Sequence, residues 1–158
     1  YARFAREKTP VMTTEETPFE IGKARAYWTE PKRTKPQVAI IACGPPLHRA
    51  ILAADRLEKG GIKVRVINNV SIKPMDEETI IKAARDAGAI VTVEEHQVSG
   101  GMGSAVAELL VKNYPVPMEF SGVQNRFGES GEPNELLEHF GMGVAHIIAA
   151  VDKVLQRK

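Results

Sequence analysis

Val38–Cys43 is an unbroken run of six apolar residues, and it constrains the fold more than any other feature of the chain. It is far shorter than the roughly 18 to 20 residues a bilayer-spanning helix needs. An uninterrupted apolar strand of this length is expected where a sheet is covered on both faces. From Gln37 onward the pattern repeats: short β-branched runs at Val38–Cys43, Ile62–Asn68, Ala89–Glu94 and Val116–Phe120 alternate with amphipathic stretches of about a dozen residues. Four βαβ cycles and a parallel sheet follow, with helices on both faces and the chemistry sought beyond the carboxyl ends of the strands.

The helices are legible from their stripes and their ends. Leu47, Ala50, Ile51, Ala54 and Leu57 share one face of the first, which closes at Gly60 and Gly61. The second is predicted over Asp76–Ala87, with Asp76 as N-cap, Ile80, Ile81, Ala84 and Ala87 inward, and Gly88 as its stop. A third starts near Ser104 with Val106, Leu109 and Leu110 buried. A fourth is opened by Pro133, with Glu132 as its cap, and closed by Gly141. The last runs from Val144 with Ile147, Ile148, Val151 and Leu155 inward.

The chain has 158 residues, 43% of them apolar, which suffices for one sizeable core. Its 21 basic and 20 acidic side chains leave a formal charge of +1, which gives no reason to expect a nucleic-acid partner. No apolar run suggests a membrane span. The single cysteine, Cys43, cannot form an internal disulfide, and no Cys/His spacing resembles a zinc site, so a reducing, cytoplasmic setting is expected. Residues 1–30 lack the apolar core of a secretory signal. The chain opens on Tyr1 instead of Met, which suggests a processed product or a fragment.

Residues 1–36 have a different character: 13 are charged, eight of them basic, and Pro10, Pro18, Pro31 and Pro36 recur too often for a helix. This segment reads as an arm in which Ala24–Thr29 could form an edge strand, leaving 37–158 as the α/β domain. Within the arm Arg3, Arg6 and Lys8 form a small basic group able to hold a phosphate or simply to be solvated.

Three other segments could carry chemistry. Cys43, at the end of the first strand, precedes His48 by five residues, a pairing that suits either a nucleophile and base or an inert buried thiol. After the third strand, Glu94, Glu95 and His96 lead into Gly100-Gly101-Met102-Gly103-Ser104. Alternation lets at most Glu94 and His96 share a side, as acid and base or as a brace for the loop. Gly101, Gly103 and Ser104 open a helix whose amides could bind an anion. A dinucleotide fingerprint is disfavoured, because Val106 stands where a third glycine should be and the turn follows the third strand. Phe127–Pro133 is a loop by composition.

The exact strings are more specific. Val91-Thr92-Val93-Glu94-Glu95-His96 followed by Gly100-Gly101-Met102-Gly103-Ser104-Ala105, together with Ser71-Ile72-Lys73-Pro74-Met75-Asp76, resembles the C-terminal domain of transketolase and related thiamine-diphosphate enzymes. Phe127-Gly128-Glu129-Ser130-Gly131 before Glu135-Leu136-Leu137 is similar to transketolases in particular. The resemblance covers essentially the whole chain. It implies a three-layer, doubly wound α/β sheet of five strands, mostly parallel with one antiparallel edge strand. It further implies a mainly structural domain of an enzyme that moves a two-carbon ketol unit between sugar phosphates. Thiamine diphosphate with magnesium or calcium would be held by diphosphate- and pyrimidine-binding domains not found here, in the same chain or in a separate N-terminal subunit. A homodimer or a split-subunit assembly in the pentose phosphate pathway is implied. Phe4–Pro10 resembles the last pyrimidine-domain strand and the start of the linker, which makes Arg6 the position matching a substrate-phosphate arginine. The competing reading is an independent anion- or nucleotide-binding module, or the corresponding domain of another thiamine-diphosphate enzyme such as deoxyxylulose-phosphate synthase.

Overall fold

In a computed structural model, which describes residues 1–29 and 34–158, the apolar run becomes the middle of a five-stranded sheet. The elements in chain order are β1 (Arg25–Trp28), β2 (Val38–Ala42), α1 (Pro46–Lys59), β3 (Val64–Asn68), α2 (Glu77–Ala87), β4 (Ile90–Gln97), α3 (Met102–Asn113), β5 (Met118–Val123), α4 (Pro133–His139) and α5 (Val144–Leu155). The strand order is β1-β3-β2-β4-β5, with β1 antiparallel to β3 and the other pairs parallel.

Alternation along β2 explains why all five of its residues are buried. Val38, Ile40 and Ala42 face a cluster with Leu47, Ala50 and Leu57 of α1 and Ile147, Val151 and Val154 of α5. Ala39 and Ile41 face a second cluster with Ile80 and Ala84 of α2 and Met102, Val106 and Leu110 of α3. Successive side chains of a strand point to opposite faces, so a run with no polar gap can feed two cores at once. The result is the expected three-layer, doubly wound arrangement.

Boundaries moved where local chemistry differs from the apolar pattern. β5 starts after Pro117, which has no amide to donate, and continues through Ser121 and Gly122 instead of stopping at Phe120. β4 runs three residues past Glu94, because Gln97 still pairs with Val123. In α2 the buried stripe includes Ala83, while Ile81 is only partly covered. Within 1–10 the chain forms no strand, and Arg6 is exposed.

Asp76 caps α2 as expected, accepting from the Thr79 amide at 3.2 Å and the Thr79 hydroxyl at 2.9 Å. It also accepts from the Ala24 amide at 3.0 Å, immediately before β1. Burial pushes the Asp76 carboxyl up, but the hydrogen bonds from Ala24 and Thr79 outweigh it and hold the group below its ordinary range. Pro133 opens α4 at its first position, yet the Glu132 side chain makes no capping bond. The cap expected from Glu132 is thus only positional.

Candidate functional site

The β4–α3 turn was the richest polar cluster in the sequence, and its geometry decides what that cluster does. Thr92 and Glu94 lie on the face of β4 that looks toward α3, and both are buried, Glu94 with only 2% of its surface exposed. Glu94 Oε2 accepts from the Met102 amide at 2.6 Å, and Oε1 accepts from the Gly103 amide at 2.8 Å. A carboxylate at the positive end of a helix, held by two amides, is a strong charge-assisted arrangement.

The glycines make room for it. A Cβ on Gly101 would stand 2.3 Å from Glu94 Oε2 and 2.4 Å from the Gln97 carbonyl, and one on Gly103 would stand 2.6 Å from Thr92 Oγ1. Ser104 completes the turn: its hydroxyl donates to the Val98 carbonyl at 2.7 Å and accepts from the Gly100 amide at 3.0 Å. Of the two readings of Gly101, Gly103 and Ser104, anion site or braced turn, this geometry is that of the braced turn, with the Met102 and Gly103 amides spent on Glu94. The helix start already has its anion, supplied from the preceding strand, and a second one would meet a buried negative charge.

The acid–base pair is not assembled either. His96 is exposed, with Nδ1 2.9 Å from the Gln97 carbonyl, while both Glu94 oxygens are engaged by α3. Cys43 is the wrong thiol for a nucleophile: burial first, then the nearby Glu94 charge, push it up to about 12, with Arg3 only partly opposing them. At neutral pH such a thiol is ionised to roughly one part in 10⁵. Arg6 is exposed in the arm and, among the described residues, is bonded to its neighbour Glu7, at 3.0 Å.

A second polar cluster, read in the sequence as a loop and as a transketolase-like string, lies between β5 and α4. Gln97 Nε2 donates to the Arg126 carbonyl at 2.5 Å. Arg126 Nη2 donates to Glu129 Oε1 at 2.7 Å and lies 3.0 Å from His139 Nε2, with its guanidinium 5.2 Å from the centre of the Phe140 ring. The contact with His139, reinforced by Arg126, holds the Glu129 carboxyl below its usual range. Phe127 sits inside this braced loop and is 93% exposed. In the sequence the string Phe127-Gly128-Glu129-Ser130-Gly131 marks this loop by resemblance, but nothing in it foretells the bracing. A cavity of about 260 Å³ lies between the arm and the β1 edge, lined by Thr13, Thr17, Lys23, Arg25 and Asn68 among others.

The match to known proteins decides the family. The model for the transketolase C-terminal domain matches residues 28–147. The chain belongs to the transketolase C-terminal domain family. It is 39% identical over its full length to a 6-deoxy-6-sulfo-D-fructose transketolase subunit of Clostridium sp. (strain MSTE9), of which it covers 48%. It is 35% identical to human transketolase over 96% of this chain and 24% of that protein. Among solved structures, an inactive beta4 tetramer of a split-gene transketolase superposes with a TM-score of 0.88 at 41% identity, over 96% of this chain and 48% of that one. The chain thus spans about half of the Clostridium subunit and a quarter of the human protein.

At the start of α3 the residues present do not offer a diphosphate site for thiamine diphosphate, the cofactor the family implies. The Met102 and Gly103 amides at the start of α3 are taken by Glu94. Among the described residues no group of three His, Cys, Asp or Glu is placed to hold a metal ion. No helix among them is long and apolar enough to cross a membrane.

Proposed function

We propose that this chain is the C-terminal portion of a transketolase that transfers a two-carbon ketol unit between sugar phosphates, and that it serves assembly and does no chemistry alone. The observation that carries this is the close superposition on a split-gene transketolase subunit across 96% of the chain. The cofactor and its divalent ion, magnesium or calcium, belong in this reading to the diphosphate- and pyrimidine-binding domains, supplied upstream or by a partner subunit. Support comes from the β4–α3 turn, whose polar groups are spent on the fold. A cytoplasmic enzyme of the pentose phosphate pathway, as a homodimer or a split-subunit assembly, is the setting we assign.

Residues 1–10 in this reading are the end of the pyrimidine-binding domain, and Arg6 contacts the substrate phosphate once that domain is complete. Its side chain is 92% exposed and, among the described residues, paired with Glu7 across one exposed contact, which a stronger anion would displace. The test is ketol transfer with thiamine diphosphate, magnesium, xylulose 5-phosphate and ribose 5-phosphate, comparing the chain alone with the chain plus the remaining transketolase domains. Activity is expected only in the mixture, and turnover by the chain alone would overturn the reading. In the complete enzyme Arg6→Ala should raise KM for phosphorylated sugars about 10- to 100-fold while hardly changing it for unphosphorylated ones. Equal effects on both would remove Arg6 from the site.

A further inference from the structure

The buried carboxylates Glu94 and Asp76 have their bonding capacity spent on helix starts, whereas the buried amide of Asn68, like that of its neighbour Asn69, is unspent. Asn68 closes β3, is 7% exposed, and its Oδ1 has no hydrogen-bond partner. A buried amide oxygen without a donor costs stability and calls for an explanation. Its position supplies one, because Asn68 lines the cavity of about 260 Å³ between the arm and β1.

The walls of that cavity are built from both sides. In the β1–β3 register Arg25 stands directly opposite Asn68, so the two side chains share a face of the sheet. Lys23 lines the same cavity two residues earlier, and among the described residues neither cation is in an ion pair. The arm forms the other wall. There the Thr17 amide donates to the Thr14 carbonyl at 3.0 Å and Thr17 Oγ1 accepts from the Thr14 amide at 2.9 Å, a closed turn at the cavity wall. Both flanks of this segment are fixed, by Met12 packed against the core and by the Ala24 amide bonded to Asp76. Glu20 adds one carboxylate to the lining against the two cations.

We propose that this cavity is a binding site for a small organic anion that carries hydroxyl groups, a hydroxycarboxylate or a phosphorylated polyol. Arg25 and Lys23 take the anionic end, for which the guanidinium fork matches either acid group. A ligand hydroxyl donates to Asn68 Oδ1 and supplies the missing partner, since the terminal torsion of an asparagine is soft enough to turn the amide toward it. Glu20 accepts from a second hydroxyl and repels an anion that has no donor to offer. The volume holds about eight waters at about 30 Å³ each, which restricts the ligand to three or four carbons beside its acid group. An occupant bridges the arm and the sheet edge. The site uses neither Arg6 nor any residue of the β4–α3 turn.

The experiment is an NMR titration of the full chain with glycerate, glycerol 3-phosphate, acetate and inorganic phosphate, following the Asn68 side-chain amide and the backbone amides of Thr17 and Arg25. Glycerate, glycerol 3-phosphate or both should shift these signals saturably, at least about tenfold more tightly than acetate and phosphate respectively. Arg25→Gln should weaken binding about 10- to 100-fold. Asn68→Leu should weaken it about tenfold without lowering the melting temperature, because it removes a polar atom that has no partner. Arg25 is exposed, so Arg25→Gln keeps the test decisive should Asn68→Leu melt lower. Arg6→Ala should bind as wild type does. Absence of saturable shifts with both hydroxylated probes, or wild-type affinity in Arg25→Gln, would overturn the site. Acetate or phosphate binding as tightly as its hydroxylated counterpart would overturn the ligand class, and loss of binding in Arg6→Ala would move the anion to the arm's own arginine and remove it from this cavity.

Discussion

The β4–α3 turn and the β5–α4 loop leave the same edge of the sheet, and both are rich in glycine and charge, but they use those residues in opposite ways. At the first, a carboxylate 2% exposed is consumed by two helix amides, and glycines let it approach. At the second, charges nearly half-exposed to solvent brace a loop from outside and leave an aromatic ring in water. Polar residues at the carboxyl edge of a doubly wound sheet are therefore not by themselves a binding site. Whether their bonding capacity is spent internally decides it.

The largest expected effect breaks the first region by filling its space. Gly101→Ala puts a methyl group against the Gln97 carbonyl as well as Glu94, and backbone cannot give way cheaply. Urea denaturation should show a loss of about 4 kcal/mol, among the largest for single substitutions. Next comes the charge: Glu94→Ala leaves two buried amides without an acceptor and should cost about 3 kcal/mol. Glu94→Gln, which keeps one carbonyl acceptor, should cost about half as much in the same assay. Were phosphate to restore the stability of Glu94→Ala, the helix start would be shown to hold an external anion once its own is removed.

The second region should respond weakly and mainly to pH. Because the Glu129 carboxyl is held below its ordinary value by His139 and Arg126, its contribution is present above that ordinary value and lost as pH falls through the lowered one. Acidification should raise the rate of proteolytic cleavage in the loop around Phe127 without unfolding the domain, and Glu129→Gln should show the higher rate already at neutral pH. The effect expected to be smallest on stability is chemical. Alkylation of Cys43 by iodoacetamide should be far slower in the folded chain than in urea, since a thiol pushed up to about 12 supplies almost no thiolate.

Periodicity revealed most of the architecture, because the apolar stripes of β2, α1 and α5 are dictated by which faces must be dry. It failed where a strand turns polar but pairing resumes, as at Gln97, and where a proline displaces a strand start, as at Pro117. The site was legible as a set of residues. The string Glu94 to Ser104 showed a carboxylate near a glycine-rich helix start, and an internal brace and an external anion site leave the same string. Only the separation of Glu94 from the Met102 and Gly103 amides distinguishes them, and that depends on how β4 and α3 pack. The outward pose of Phe127 was illegible for a similar reason, since its braces come from Gln97, Glu129 and His139 on three different segments.

The Asp76 cap has a bearing on the arm. By accepting from Ala24 as well as Thr79, one carboxylate serves as a rivet between α2 and the end of the leading segment, 52 residues earlier in the chain. The direction in which residues 1–23 depart is thereby set by a helix of the main body, so Arg6 is carried on a mooring and not on a free leash. Since the Asp76 carboxyl is held below its ordinary range, that mooring is intact at neutral pH and slips only as acid protonates it.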